Sequence, residues 1–122
     1  MNDSLSTLNV QQLIERFVEL SLQEDRAVNA ADISEINAVV SKIYEIGKEL
    51  ETRDGDQRLV LARLLQSQNL RVRFNAAKAL FSLMPTEARR QIEAIAASKR
   101  YPIAGNAGTF LFLRDESFKN GN

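Results

Sequence analysis

The chain has 122 residues, with 16 Lys plus Arg against 16 Asp plus Glu and no His, so its formal net charge is zero. The absence of Cys excludes disulfides, thiolate nucleophiles, zinc–thiolate sites and iron–sulfur clusters, and the absence of His removes the commonest general base and metal ligand. The length suits one domain, and a 44% hydrophobic and 26% charged composition is that of a soluble globular protein.

The periodicity is helical nearly throughout. Asn9 and Gln12 form a capping-box pattern that opens a helix running to about Ala30. Its apolar face is Val10, Leu13, Ile14, Phe17 and Val18. Asp32 and Glu35 repeat the capping pattern. Ile33, Ile36, Val40, Ile43 and Leu50, joined by Val39, Tyr44 and Ile46, then make a second apolar stripe. On this reading Tyr44 belongs to the core and Gly47 allows close backbone approach. Asp54-Gly55 stops the helix.

Shorter helices follow. Asp56 caps one carrying Leu61, Leu64 and Leu65, and Asn69 caps one carrying Val72, Ala76, Leu80 and Leu83. Pro85 suits the first turn of a fifth helix with Ala88, Ile92, Ile95 and Ala96. Pro102 suits the first turn of a sixth with Ile103, Ala107, Phe110 and Leu111. Gly105 and Gly108 lie inside that helix and are expected to pack closely on the fifth. Residues from Glu116 onward read as a loose tail.

The zero net charge hides a segregation. Residues 1–57 hold 12 acids and 5 bases, a net of −7, whereas residues 58–100 hold 9 bases and 2 acids, a net of +7. Such asymmetry suits either a nucleic-acid surface or two layers that pack on each other. It also suits a head-to-tail homodimer.

A shift of 31 residues superposes the third and fourth helices on the fifth and sixth. Leu61 falls on Ile92, Leu64 on Ile95, Ser67 on Ser98 and Val72 on Ile103. Asn75 falls on Asn106, Ala76 on Ala107, Ala77 on Gly108 and Leu80 on Leu111. A repeated hairpin cannot bury its apolar stripe alone and must stack on a neighbour.

The stretch from Asn69 to Leu80 resembles the second helix of a HEAT repeat, with a polar cap, Val72-Arg73, a small pair and Ala79-Leu80. Leu61 to Leu65 resembles the first helix of that repeat. In the second copy Pro102 and Ala104 stand where Arg71 and Arg73 stand, so the copy is degenerate. Four further stretches carry a resemblance over nearly the whole chain. They are Leu13 to Phe17, Leu64 to Arg73, Glu87 to Arg90, and Ile95 to Ser98 with Pro102 to Gly108. Together they are similar to a small bacterial family, domain of unknown function number two thousand and nineteen. The resemblance implies an all-helical, armadillo/HEAT-like fold and carries no activity with it.

The expected fold is therefore all-α: about six helices in three antiparallel hairpins, a short alpha-alpha superhelix forming one domain over 1–122. Residues 1–55 would form a long N-terminal hairpin, 56–114 two HEAT-like hairpins, and 115–122 the loose tail.

No catalytic constellation is evident. Ser67 and Ser98 sit where hairpins turn, with no His and no nucleophile-elbow glycines around them. Glu45, Glu49, Glu51, Asp54 and Asp56 lack a calcium-loop spacing, and helix termination accounts for Asp54 and Asp56. Glu15 and Glu19 read as a solvated pair. No cofactor or metal is expected. Arg73 reads as a structural arginine bonding within or between hairpins. Tyr101 reads as loop packing. Phe74, Phe110 and Phe112 exceed one stripe, and any left exposed would mark a contact surface.

The candidate partner-binding residues are Arg71, Lys78, Arg89, Arg90, Lys99 and Arg100. The expected function is a non-enzymatic protein-binding module. The alternatives are nucleic-acid binding through residues 58–100 and an immunity-type partner of a bacterial toxin. The first residues show no secretory pattern. The longest aliphatic run, Leu59 to Ala62, is far shorter than the about 18 residues of a spanning helix. A cytoplasmic setting without membrane contact is expected.

Overall fold

The structure is a computed structural model and describes residues 4–120. A 3-10 turn, Leu5–Thr7, precedes α1 (Val10–Asn29) and α2 (Ile33–Thr52). A ten-residue 3-10 segment, Gln57–Gln66, leads to α3 (Leu70–Leu80). Then come α4 (Pro85–Ala96) and α5 (Ile103–Asn120). Among the described residues there is no strand, so the fold is all-α. No helix there is long and apolar enough to cross a membrane.

The helix starts follow their caps. Asn9 Oδ1 accepts from the Gln12 amide at 2.8 Å while Gln12 Oε1 accepts from the Asn9 amide at 2.9 Å, completing a capping box. Asp32 accepts from the Glu35 amide at 3.1 Å, but the return arm is absent: the Glu35 carboxylate takes Gln23 of α1 instead. Asn69 accepts from the Val72 amide at 3.0 Å. Pro85 is the first residue of α4, where its missing N–H has no intrahelical partner to lose. Pro102 stands one residue before α5 rather than within it.

Consecutive elements pair: α1 with α2, the 3-10 segment with α3, and α4 with α5. The pairs stack through α1 on α3 and α3 on α4. The continuous core runs from Leu13 and Phe17 through Val39, Ile46 and Leu50 to Leu61, Leu80, Ile92 and Ile95. The turn after α2 needs Gly55, whose φ of +79° lies in the left-handed region. Arg53 closes the first hairpin, donating Nη2 to the carbonyls of Leu5 and Leu8 at 3.0 and 2.7 Å.

Several expectations are corrected. The element opened by Asp56 is a 3-10 helix. Asp56 itself has φ +51°, and its carboxylate takes both the amide and the guanidinium of Arg58, closing a tight first turn. Residues 116–120, expected to be loose, continue α5, while Gly121 and Asn122 lie outside the described residues. Tyr44 is 66% exposed and outside the core. A Cβ added at Gly47 or Gly108 would meet nothing within 4 Å, and at Gly105 only the Tyr101 ring at 3.7 Å. Close helix packing therefore accounts for none of the three. Leu83 follows the end of α3 and is exposed.

Several of the superposed positions behave alike, although Asn75 is buried and Asn106 exposed, and the first element of the earlier hairpin is 3-10 where that of the later is α. Ser67 and Ser98 each accept from the amide two residues on, at 3.1 and 3.2 Å. Leu61 and Ile92, Val72 and Ile103, and Ala76 and Ala107 are buried pairs. Asn75 and Asn106 each bond to the preceding hairpin.

Candidate functional site: a concave groove on α2, α3 and α5

Helix α2 carries an apolar arc too wide for one neighbour. Val39, Ile46 and Leu50 lie on one side of it and are buried against the core. Ile33, Val40 and Tyr44 lie on the adjacent side and have no helix over them, with exposures of 64%, 42% and 66%. Their spacing of seven and four residues keeps them on a single face.

This open face forms one wall of a cavity of about 380 Å³. Val40, Ile43, Tyr44 and Gly47 of α2 line it. Asn75, Lys78 and Ala79 of α3 face them, and Phe81, Ser82 and Arg114 close the far side. Phe17 and Glu24 of α1 contribute at its base. The second helix of each pair thus contributes to one concavity. Gly47 leaves open space where a side chain would project. The size is within the range of ligand pockets.

The charges around the groove are unevenly satisfied. Lys48 pairs with Glu51 at 3.4 Å. Arg58 pairs with Asp56 at 2.7 Å and reaches Glu51 at 3.9 Å. Glu24 is buried and accepts from Asn75 Nδ2 at 2.9 Å, with Arg71 Nη1 at 3.7 Å. Asn75 Nδ2 also bonds the Ser21 hydroxyl at 3.0 Å, which in turn donates to the Phe17 carbonyl at 2.9 Å. Lys78 and Arg114 instead rest on aromatic rings, at 4.3 Å from the Phe74 centroid and 3.9 Å from the Phe81 centroid. Burial pulls the Lys78 pKa below 10.5, against the attraction of Glu24 and with the repulsion of Arg71.

Of the six candidate residues, only Lys78 lines this groove. Arg71 is 3% exposed and holds Asp25 at 3.2 Å and Asn106 at 3.1 Å, so it is an internal tie rather than a surface cation. Its Nη2 is buried and has no hydrogen-bond partner among the described residues. Arg89 bonds Asp115 at 2.8 Å and Glu93 at 3.2 Å, and both carboxylates raise its pKa. Arg90 pairs with Glu87. Lys99 and Arg100 are exposed in the α4–α5 connection. Arg73 has the structural role expected of it, donating Nε and Nη2 to the Ser67 carbonyl at 3.0 and 2.8 Å. Phe74 is buried, Phe110 half-buried and Phe112 exposed; Tyr101 is exposed as well.

The opposed charges of the two segments meet in a narrow seam. Arg71 reaches the acidic segment at Glu24 and Asp25, and Arg58 reaches it at Glu51 and Asp56. Arg89 and Arg90 are neutralised locally instead. Tyr44 and Val40 are the site residues that the sequence reading assigned to the core. The signal was present: a 20-residue helix with apolar residues over so wide an arc needs two neighbours.

Comparison with known proteins places the chain. The crystal structure of the protein RPA1889 from Rhodopseudomonas palustris CGA009 is similar to it, with a TM-score of 0.86 and 38% sequence identity over 94% of this chain and 95% of that one. No curated protein matches. The model of a domain of unknown function (DUF2019) matches residues 11–115. That span covers α1 from its second residue, α2 to α4 in full and the groove-lining part of α5, and the chain belongs to the DUF2019 family.

Proposed function

We propose that the chain is a non-enzymatic protein-binding module of armadillo/HEAT-like type, and that its partner docks on the concave groove. The observation that carries this reading is the uncovered stripe Ile33, Val40 and Tyr44, continuous with the groove. Apolar residues left open in a line, rather than scattered, mark contact surfaces. The helical-repeat reading is supported by Asn75 and Asn106, which tie each hairpin to the one before it. Stacked hairpins of that type offer a concave face to another macromolecule.

A nucleic-acid interface is the weaker reading. It needs solvent-facing cations for phosphates, whereas Arg71 is internal and Arg89 and Arg90 are engaged by carboxylates.

The test is affinity capture from the native host with the full chain and with a Val40→Lys/Tyr44→Lys variant. The reading expects a partner held by the first and released by the second. Equal capture by both, or reproducible turnover of a small-molecule panel by the purified protein, would overturn it.

A further inference from the structure

Two cations in the groove are held by rings rather than by acids. Lys78 lies over Phe74 at 4.3 Å and Arg114 over Phe81 at 3.9 Å. Phe110 joins the two rings, with its centroid 6.0 Å from Phe74 and 5.9 Å from Phe81. One aromatic cluster therefore presents two positive charges to one cavity. Of the acids that line the same cavity, Glu24 attracts Lys78 from beyond ion-pair distance, and both it and Glu51 have nearer partners. Glu24 holds Asn75 and faces Arg71, and Glu51 holds Lys48 and faces Arg58. Among the described residues, no carboxylate lies within salt-bridge distance of either ring-held cation.

Lys78 is largely buried, and desolvation disfavours its charged form. A cation–π contact at a ring face offsets only part of that cost. The fold gains little from keeping a charge at this position. A carboxylate supplied from outside would change that balance, since it would meet two cations in a partly dry groove.

The opposite wall is apolar and elongated. From Ile33 to Gly47 the open stripe of α2 extends about 21 Å, four turns at about 1.5 Å per residue. Ile33 stands beyond the cavity itself, so a small molecule filling the cavity would leave it uncovered. No strand edge is available among the described residues to pair with an extended peptide. Helix in groove is the recognition mode that matches such walls.

We infer that the groove receives an amphipathic helix of a partner protein, its apolar face along Ile33, Val40 and Tyr44 and an acidic side chain seated between Lys78 and Arg114. This rests on the reading of the concave face as a protein-binding site and adds the chemistry of its occupant.

The test is a phage-displayed library of helix-forming peptides selected against the full chain. Clones that also bind the Val40→Lys/Tyr44→Lys variant are discarded. The expected survivors carry apolar residues at i, i+4 and i+7 with Asp or Glu on one flank. Their affinity should fall about tenfold for Lys78→Met and again for Arg114→Gln, and should weaken with salt. Arg114 is exposed, so its variant stands as a folded control if Lys78→Met unfolds; circular dichroism checks both.

If no clone depends on Val40 and Tyr44, both the docking reading and this inference fail. If groove-dependent clones lack acids, or bind Lys78→Met and Arg114→Gln undiminished, the acidic helix is wrong while the docking site stands. Dodecanoate is titrated in parallel. If it binds in a Lys78-dependent way and no peptide does, the occupant is a small amphiphile and the inference is overturned.

Discussion

Arg71 Nη1 donates to Asn106 Oδ1 over 3.1 Å, joining α3 to α5 from a position that is almost wholly buried. The same guanidinium donates Nε to Asp25 of α1 at 3.2 Å. One turn further along α3, Asn75 reaches Ser21 and Glu24 of α1. Helix α3 thus ties the outer hairpins together through polar groups in its own core-facing side. Buried groups of this kind are costly when left unpaired.

Arg71→Ala should therefore cost about 3–5 kcal/mol, because Glu24 remains as a buried charge with its cation gone. Asn106→Ala, at an exposed position, should cost about 1 kcal/mol. Urea unfolding followed by circular dichroism measures both. If Arg71→Ala is as stable as the wild type, the internal-tie account is wrong.

Gly47→Ala should raise stability by up to about 1 kcal/mol, since α2 is helical there and a Cβ meets open space. Gly55→Ala should do the reverse by a similar amount, because a side chain at φ +79° is strained. Thermal melts of the two variants should move in opposite directions. A fall for Gly47→Ala would mean that the open space is filled in solution.

Lys78 should leave a mark on the pH profile of stability. Its folded pKa lies below the ordinary 10.5, so between the two values the unfolded chain binds a proton that the folded chain has released. Stability should rise with pH across that window. Below it both states are charged and the penalty from burial is full; Glu24 of α1 eases it and Arg71 of α3 adds to it. Lys78→Met should lack the rise and melt higher than the wild type near neutral pH. A parallel pair of profiles would refute this.

A fragment of residues 58–122 should fail to fold alone. It keeps Arg71 and Asn75 but loses Ser21, Glu24 and Asp25, and it loses Leu13, Ile14, Phe17, Val39, Ile46 and Leu50 from the shared core. Size-exclusion chromatography and near-ultraviolet circular dichroism test this. A stable, cooperative monomer would show that the first hairpin is dispensable.

What the residues disclose in advance is local. Asn9 with Gln12, Asn69 with Val72, and Pro85 each act within one turn, so the helix starts were legible. The 31-residue shift likewise pairs small and apolar residues, and Leu61 with Ile92, Val72 with Ile103 and Ala76 with Ala107 are buried. The fates of Tyr44 and Arg71 were not legible. Tyr44 and Ile46 stand at opposite edges of one wide apolar arc, and only the position of α1 decides which edge is covered. Arg71 looks like a surface cation until α1 brings in acids 46 and 47 residues away. Gly47 and Gly108 read as close contacts, and no neighbour comes near either one.

The 3-10 segment Gln57–Gln66 gives the domain uneven stiffness. Its i to i+3 hydrogen bonds are poorer than those of an α-helix, and runs beyond three or four residues are uncommon for that reason. Its amides should exchange with solvent ahead of those of α1 and α3. Arg58 sits in its first turn and lines the groove, whereas Val40 and Tyr44 belong to a continuous 20-residue helix. Amide exchange at the Arg58 edge of the groove should therefore outpace exchange along Val40 and Tyr44, so the two edges should differ in how readily they adjust to a partner.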